Sequence, residues 1–435
     1  MKKLLLLTLG LFVFEISSAQ LRSGPMLGYA EHREVAIWLQ TQKQDAVQLE
    51  YRVKGTEKWK NAGTKLTKAT DSYTALYLIS NLEPGTTYEY RFLVMAKMHG
   101  KDKPYEFKTQ ALWQWRSEPP AFKIAMGSCA YVSESTYDRP GEPYGGDYLI
   151  FEKMADAQPD MMLWLGDNTY LREVDWSTRA GIMHRYSHTR QLPEMQRLLA
   201  SCPNYAIWDD HDFGPNDANG SWVQKQHSLD AFKLFWANNG YGLPESAGIT
   251  GAFRFNDVDF FLLDNRYHRT SEQLNDSCAR EMLGEAQINW LINALKYSNA
   301  SFKIVAVGSQ VLNSEALYEN YAQFPCERQR LLDRIAAEGI KNVVFATGDR
   351  HHSEISKIEL QGIVMHDITA SPLSSKAGNN RDNEHNRNRI AGSLVLQRNY
   401  TTLEVSGTRK ARQLLLRNFD SNGLELFSYT IAQQP

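Results

Sequence analysis

Four short apolar runs, each followed at once by metal-ligating residue types, constrain the fold of this chain more than any other feature. Runs of this length are typical of buried strands, and open α/β sheets carry their chemistry at the carboxyl ends of strands. The runs with the residues that follow them are Phe122–Met126 with Gly127-Ser128-Cys129, Met161–Leu165 with Gly166-Asp167-Asn168-Thr169-Tyr170, Tyr205–Trp208 with Asp209-Asp210-His211-Asp212, and Val343–Thr347 with Gly348-Asp349-Arg350-His351-His352. The repeated pattern predicts a metal site built from loops at one edge of a sheet.

Helical and strand patterns alternate through the same part of the chain. The predicted helices are Tyr148–Ala157, Arg179–Ala200 with a break near Pro193, Trp222–Asn238, Ala286–Tyr297 and Glu327–Glu338. Gly251–Leu263 and Phe302–Val307 are strand-like, and the tail from Ser393 to Ile431 returns to short β runs. This order predicts an α/β domain over residues 121–435, with its sheet covered on both faces and the tail completing a second sheet. The polar segment Ser374–Arg389 is predicted to be a mobile loop.

Residues 20–110 are predicted to be a separate β-sandwich. Short β-branched and aromatic runs are separated there by turn signals such as Pro84-Gly85, and the segment Leu82–Tyr88 resembles the turn before a late strand of fibronectin type III domains. The four runs are Val35–Leu39, Val47–Val53, Tyr73–Leu78 and Tyr88–Val94. We expect a fibronectin-III-like spacer or wall at the substrate edge, joined to the next domain by a linker at residues 111–120.

Residues 1–19 have the pattern of a secretory signal peptide. Lys2 and Lys3 precede an apolar stretch, Leu4–Phe14, which is too short to span a bilayer comfortably, and small residues end at Ala19. Cleavage after Ala19 predicts an exported protein, periplasmic or secreted and soluble; an uncleaved anchor is the alternative. No Cys follows the cut, so a lipid anchor is not expected, and no later segment is apolar enough to cross a membrane.

The chain has four cysteines, which an exported protein can oxidise to disulfides. Cys278 and Cys326 both lie in polar, loop-like settings and could pair. Cys129 follows a strand with the other candidate site residues and is interpreted as a thiolate ligand, which leaves Cys202 free. Different pairings stay open, because sequence alone does not set disulfide connectivity.

The donor types at the strand ends favour two unlike metal positions. A ferric ion suits phenolate and carboxylate, and thiolate and imidazole can complete its shell. The remaining donors are oxygens that favour Ca²⁺, Mg²⁺ or Mn²⁺, and they come from Asp210, Asp349 and Asn216. Gln310 is either a further oxygen ligand or has no role in the site. Asp167 could bridge the two ions. Two metals about 3.5–4 Å apart would clamp the attacking and leaving oxygens of a phosphoryl displacement.

Several of these residues could instead have a simpler structural role. Arg266 and Arg350 could clamp phosphate oxygens, but Arg266 suits a structural ion pair equally well. The corresponding simple roles are a small buried apolar side chain for Cys129, a packed aromatic ring for Tyr170, a loop cap for Asn216, and a surface turn for Asp210 and His211. Asp212 and His352 are expected to support the ligands from behind, and His184, His188 and His227 to be structural.

The four motifs together resemble those of the PhoD-like alkaline phosphatases, a branch of the binuclear metallophosphatases. Gly166–Tyr170 matches the Gly-Asp-x-x-Tyr motif shared with purple acid phosphatases. Trp208–Asp212 matches the PhoD-like Trp-Asp-Asp-His-acid motif, and Gly348–His351 matches Gly-Asp-x-His. Gly127-Ser128-Cys129 takes the place of the usual first Asp-x-His motif. The resemblance runs from about Phe122 to at least Asp367.

The resemblance implies a two-sheet α/β–β/α metallophosphatase sandwich that holds Fe³⁺ and one or more Ca²⁺, with Zn²⁺, Mn²⁺ or Mg²⁺ as alternatives. Iron would be held by Cys129, Asp167, Tyr170 and His351, and calcium by Asp167, Asp210 and Asp349. His211 would face the substrate. The family's helper His before the last motif has no match here, since Val307–Gln310 stands in its place. This departure leaves the number of metals open.

The implied function is that of an exported alkaline phosphatase, in which a metal-bound hydroxide attacks small-molecule phosphate esters. His211 would donate a proton to the leaving alkoxide or stabilise it. Phosphodiesterase or phospholipase D-like activity, on phosphodiesters or phospholipids, is the alternative within the family, and a catalytically silent polymer-binding protein is the alternative outside it. The formal net charge of −2 favours neither nucleic acid nor an anionic membrane as a partner.

Overall fold

A computed structural model describes residues 21–378 and 384–435 of the chain. The predicted signal peptide and residues 379–383 of the predicted mobile loop lie outside the described residues. The described strands are β1 Leu21–Ala30, β2 Glu34–Thr41, β3 Ala46–Val53, β4 Lys60–Leu66, β5 Thr74–Ser80, β6 Thr87–Val94, β7 Lys97–His99, β8 Tyr105–Lys108, β9 Phe122–Gly127, β10 Met161–Leu165, β11 Asn204–Ile207, β12 Gly251–Phe255, β13 Val258–Leu262, β14 Phe302–Val307, β15 Val343–Thr347, β16 Glu354–Leu360, β17 Ile363–Thr369, β18 Asn399–Thr408, β19 Ala411–Asp420 and β20 Glu425–Ala432. The described α-helices are α1 Leu149–Asp156, α2 Arg179–Arg190, α3 Pro193–Ser201, α4 Asp210–Phe213, α5 Lys225–Phe235, α6 Glu285–Tyr297 and α7 Pro325–Ala337.

The first eight strands form two antiparallel sheets that share an apolar core. One sheet has the order β1-β2-β5, and the other has the order β4-β3-β6-β7 with β8 also paired to β6. Strand β6 alternates along its length, and its buried side chains Tyr88, Tyr90, Phe92 and Val94 face this core. The four strand runs predicted in this region are confirmed: three lie within β2, β3 and β6, and Tyr73–Leu78 begins one residue before β5.

Strand β2 fixes these first two sheets to the rest of the chain because both of its faces are buried. Ile37 lies in the core of the two sheets, whereas Trp38 packs in the large cluster of the following region. The Trp38 indole N–H donates to the carbonyl of Leu234, at 2.9 Å. The first eight strands therefore contact the α/β region directly.

Two six-stranded sheets form the α/β region. The first has the order β11-β10-β9-β18-β19-β20, in which β9, β10 and β11 run parallel and β18 joins β9 antiparallel. The second has the order β12-β13-β14-β15-β17-β16, with parallel central strands and antiparallel edges. The predicted mixed α/β fold is confirmed. The tail, which was predicted to complete a second sheet, forms β18, β19 and β20 and joins the sheet of β9, β10 and β11.

The central strands of the second sheet are apolar throughout because each face meets a different core. In β14, Ile304 and Ala306 join the cluster between the two sheets, while Val305 and Val307 join the cluster beneath α6 and α7. Strand β15 divides its side chains in the same way. A parallel strand covered on both faces produces the continuous apolar runs seen in the sequence.

The predicted helices are confirmed, and their ends differ by at most three residues. Pro193 begins α3, so the predicted break lies between α2 and α3. Gly251–Leu263 is a hairpin of β12 and β13 rather than one strand. Among the described residues, no helix combines the length and the apolar content needed to cross a bilayer.

A disulfide joins Cys278 and Cys326, the pair that the sequence left open, with Cα atoms 5.0 Å apart. It ties the segment before α6 to the first turn of α7. Cys129 and Cys202 are free and buried. This pairing leaves the Cys129 thiol available at the end of β9.

Candidate metal centre

The carboxyl ends of β9, β10, β11 and β15 meet at one edge of the two sheets. Four donor residues there have a positive φ, a conformation that non-glycine residues rarely adopt: Cys129 (61°), Asp167 (52°), Asp349 (68°) and His351 (55°). Strained residues of this kind cluster at functional sites. Gly348 lets these loops approach closely, since a Cβ at that position would lie 2.6 Å from the carbonyl oxygen of Leu165.

One donor group contains a thiol, a carboxylate, a phenol and an imidazole. Single ligand atoms of Cys129, Asp167 and His351 all lie within 4.8 Å of one another. The Tyr170 hydroxyl is 3.2 Å from Asp167 Oδ2 and 3.4 Å from His351 Nε2. His351 Nδ1 lies 2.7 Å from the carbonyl oxygen of Lys376. The other ring nitrogen, Nε2, therefore faces the remaining donors of this group. The four residues that the resemblance implies for iron are thus brought together.

A second donor group consists of carboxylates beside the first. Ligand atoms of Asp209, Asp210 and Asp349 lie within 4.8 Å of one another, and so do those of Asp167, Asp210 and His211. Asp167 therefore belongs to both groups. The three residues implied for calcium are brought to this place, and Asp209 is an addition that the sequence interpretation did not include.

The buried carboxylates of the second donor group would be stabilised by a positive charge between them. Burial raises the pKa of Asp167 well above its usual range, and the charge of Asp210 raises it further. Burial together with Asp209 does the same to the pKa of Asp349. Asp210 Oδ1 and Asp209 Oδ2 are buried and have no hydrogen-bond partner among the described residues. Unpartnered buried acceptors are costly, so this donor set fits bound cations.

The Cys129 thiol also fits a metal ligand. Burial raises its pKa to about 11, with Asp349 contributing, so the free thiol stays protonated. Sγ lies 3.6 Å from Asp167 Oδ2 and 3.2 Å from Ser371 Oγ. A coordinated metal deprotonates such a thiol outright. The site could therefore hold a thiolate once an ion is bound.

Asp217 and Glu319 extend the carboxylate group and were missed in the sequence. Their ligand atoms lie within 4.8 Å of one another and of Asp210. The Asp217 backbone N–H donates to Asp210 Oδ2 at 2.8 Å. Asp217 follows Asn216 in the loop after α4, so it could have been found from the Gly-Pro-Asn-Asp sequence. Glu319 follows no strand and belongs to none of the four motifs.

Arg266 is held in a buried ion-pair network. Nε donates to Asp209 Oδ1 at 2.5 Å, and the two terminal nitrogens donate to Glu319 at 2.7 and 2.9 Å. The side chain is fully buried. Of the two roles that the sequence left for Arg266, the structure contains the ion pair.

Arg350 borders the cavity above the carboxylates. It forms an ion pair with Glu384, and its guanidinium carbon lies 4.5 Å from the centre of the Tyr318 ring. The cavity measures about 380 Å³. Its lining includes Asp167, Asp210, His211, Asn216, Asp349, Arg350 and His351. Arg350 is therefore placed to meet an anion in this space, unlike Arg266.

His211 lies beside Tyr170, with ring centres 4.3 Å apart, and its side chain is 19% exposed. Burial lowers the pKa of His211 to about 4. The ring is therefore neutral at neutral pH and can donate one N–H. His352 is buried beside Glu354, with Nε2 3.7 Å from Glu354 Oε2.

The sequence left two alternatives for Gln310, an oxygen ligand or no role in the site, and its contacts favour the second. Its amide nitrogen donates to Glu354 at 2.7 Å and to Thr369 at 2.9 Å, and its amide oxygen accepts from Asn313 at 3.1 Å. These bonds hold Gln310 away from the cavity. His184 and His188 lie on α2 and His227 on α5, and none of them belongs to a donor group among the described residues.

Comparison with known proteins identifies relatives over most of the chain. A family profile described as PhoD-like phosphatase matches residues 124–414, and one described as a domain of unknown function, DUF7800, matches residues 18–110. Alkaline phosphatase D of Bacillus subtilis (strain 168) is 24% identical over 348 residues, which cover 68% of this chain. The match spans 56% of that protein, little more than half of its length.

Two solved structures have a similar fold. A structure of PhoD superimposes with a TM-score of 0.74 at 18% identity, covering 94% of this chain and 92% of that one. A purple acid phosphatase from yellow lupin (Lupinus luteus) seeds superimposes with a TM-score of 0.66 at 11% identity, covering 94% and 74%. At these identities the likeness concerns the fold alone.

Proposed function

This chain belongs to the PhoD-like phosphatase family, and from that premise we propose that it hydrolyses phosphoric esters with the help of bound metal ions. The observation that carries the proposal is the pair of donor groups joined by Asp167. One group mixes thiol, phenol, imidazole and carboxylate, and the other consists of carboxylates. Two unlike neighbouring cation positions suit phosphoryl transfer, which needs charge stabilisation on both sides of phosphorus.

We further propose Fe³⁺ in the mixed group and Ca²⁺ in the carboxylate group. Cys129, Asp167, Tyr170 and His351 would hold the iron, and Asp167, Asp210 and Asp349 the calcium, with Asn216 as an additional oxygen donor. When bound, such cations lower the pKa of water and neutralise charge on phosphoryl oxygens. The support is chemical: phenolate and thiolate suit ferric iron, and carboxylate oxygens suit calcium.

The chain's own side chains would orient the ester in the cavity. Arg350 would bind a phosphoryl oxygen, because it alone of the two candidate arginines borders the cavity. His211 would donate its N–H to the oxygen of the leaving group as negative charge develops there. A neutral imidazole supports stabilisation by hydrogen bonding rather than full proton transfer, which favours one of the two roles that the family resemblance implies for His211.

His211→Ala should therefore lower kcat most for esters with poor leaving groups. For an alkyl phosphate we expect a loss of about 10- to 100-fold, the range for one hydrogen bond to a charged oxygen. The loss should shrink for an activated aryl phosphate, whose leaving oxygen carries less charge. Steady-state kinetics on both esters checks this, with His184→Ala on α2 as the matched control. Equal losses on the two esters would contradict this role of His211.

The colour of the purified protein tests the assignment of iron. Phenolate or thiolate bound to Fe³⁺ gives a charge-transfer band, so we expect visible absorbance. Tyr170→Phe should shift or bleach the band, and Cys129→Ser should reduce bound iron more than bound calcium. Absorption spectra and elemental analysis give both readouts without an activity assay. A colourless wild-type protein with two equivalents of zinc or calcium would contradict the assignment.

Hydrolysis of a monoester and of a diester tests the proposed activity itself. We expect turnover of the monoester at alkaline pH, its abolition by a strong chelator, and partial recovery on adding Ca²⁺ if iron stays bound. Faster turnover of the diester would favour the phosphodiesterase alternative. Undiminished hydrolysis by protein shown to be free of metal would remove the proposal.

We also propose the domain boundaries and the location of the protein. Residues 1–19 would be a signal peptide for export, 20–110 a fibronectin-III-like β-sandwich, 111–120 a linker and 121–435 the catalytic domain. The boundary between the β-sandwich and the catalytic domain is supported by the separate core of the first two sheets. It is also supported by the gap between the two family matches, since one ends at residue 110 and the other begins at residue 124. The β-sandwich would act as a spacer or a wall at the substrate edge.

A further inference from the structure

A second cavity adjoins the one above the carboxylates. It measures about 350 Å³, a size typical of small-molecule sites. Tyr144, His211 and Asn216 border both cavities. A ligand whose phosphoryl group lies at the metal centre therefore has a continuous path into the second space.

The wall of the second cavity is rich in aromatic side chains. The ring centre of Tyr131 is 4.9 Å from those of Tyr144 and Tyr170. Tyr137 and Trp176 also line the space. Aromatic rings attract one another at such centre-to-centre distances. Tyr131 and Tyr170 are almost fully buried, so the rings accessible to a flat ligand are those of Tyr137, Tyr144 and Trp176.

Arg172, a buried charged residue of this wall, already has partners within the chain. Arg172 donates to Asp138 at 2.9 Å and to the Val132 carbonyl at 2.8 Å, and its guanidinium lies 3.9 Å from the Tyr131 ring centre. The Tyr131 hydroxyl donates to Asp138 as well, at 2.8 Å. These contacts fix the aromatic wall before any ligand arrives. The lining also contains three carboxylates, those of Asp138, Glu142 and Glu173, against the two guanidinium groups of Arg139 and Arg172, so the second cavity is less suited to another phosphate than to an uncharged organic group.

We propose that the second cavity binds a planar aromatic group attached to the phosphate of the ester. This inference rests on the proposed function, because it places the phosphoryl group at the metal centre. The preferred substrates are then aryl or other ring-bearing phosphate esters rather than small alkyl ones. Trp176 and Tyr137 are specificity-determining residues and take no part in metal binding.

Binding of three inert phosphonates to the metal-loaded protein tests the proposal. We expect benzylphosphonate to bind at least about 10-fold more tightly than methylphosphonate in calorimetry, since several aromatic contacts add to one common anion. Butylphosphonate should lie close to methylphosphonate. Trp176→Ala and Tyr137→Ala should each reduce the advantage of the benzyl group and leave methylphosphonate binding unchanged. Tyr297→Ala, at a surface position with 93% exposure, is the control.

Equal affinities for benzylphosphonate and methylphosphonate would overturn the proposal, and so would equal affinities for benzylphosphonate and butylphosphonate. Variants at both Trp176 and Tyr137 that keep the full benzyl advantage would overturn it too. Turnover of simple esters is measured on the same sample. If esters are hydrolysed without any preference for aromatic groups, only the proposed role of the second cavity is contradicted. If no ester is hydrolysed, the proposed function itself is contradicted.

Discussion

Asp167→Asn is expected to lower kcat/KM for a phosphate monoester by more than about 10³-fold, above the cost of removing one preorganised electrostatic contact. Asp167 Oδ2 lies 3.6 Å from the Cys129 sulfur and 3.2 Å from the Tyr170 hydroxyl. Oδ1 accepts from the His211 backbone at 3.3 Å. The residue belongs to both donor groups, so its charge serves both cation positions.

The Asn variant is informative because it keeps the shape of Asp167 and removes only the charge. Both kinetic constants and the content of both metals are measured. Asp156→Asn, at the exposed end of α1, is the control and should leave activity unchanged. If Asp167→Asn keeps its activity within about tenfold of the wild type with full metal content, Asp167 does not join the two positions.

Arg266→Leu is expected to lower the free energy of unfolding by about 3–5 kcal/mol, the usual cost of removing one partner of a buried ion pair. The substitution leaves Asp209 and Glu319 buried without their main cation. Burial alone would raise the pKa of Glu319, but the charges of Arg266 and Arg269 hold it down to about 2. The low pKa of Glu319, and therefore its ionised state, thus depends on these two arginines.

The dependence on pH has a definite sign. Because the pKa of Glu319 is lower in the folded state, its contribution to stability is present above about pH 4.5 and is lost as the pH falls toward 2. The stability difference between wild type and Arg266→Leu should therefore shrink over that range. Denaturant unfolding at several pH values measures it.

Arg254→Leu is the matched control for Arg266→Leu. Arg254 pairs with Asp259 at 2.6 Å, but its side chain is 37% exposed, so its loss should cost about 1 kcal/mol or less. If Arg266→Leu were no less stable than this control but bound phosphate more weakly, Arg266 would be a phosphate clamp. That result would favour phosphate binding over a structural ion pair as the role of Arg266.

Much of the α/β region could be predicted because its strands are buried on both faces. The predicted and observed bounds of β14 coincide at Phe302 and Val307, since a continuous apolar run has distinct ends. The same reasoning placed Cys129, Asp167 and Asp210 at the edge of one sheet. Periodicity and strand polarity alone supply that information. Asp349 follows β15 of the other sheet, so the prediction that a single sheet supplies the whole site is wrong.

Other features depend on contacts that a single sequence does not encode locally. Glu319 joins the site through its pairs with Arg266 and Arg269, which lie about 50 positions earlier. Gln310 follows a predicted strand, yet its bonds to Glu354 and Thr369 hold it away from the site. By contrast, α4 could have been found, because Asp212 accepts from the Asp209 backbone as in a capping box.

Anomalous diffraction from crystals grown with the metals retained tests the central claim most directly. We predict one peak at the iron edge among Cys129, Asp167, Tyr170 and His351. A second cation without iron signal should lie against Asp210 and Asp349, with Asp167 between the two. A protein active on phosphate esters whose maps contain no ion in either group, or whose ions lie elsewhere, would contradict this account.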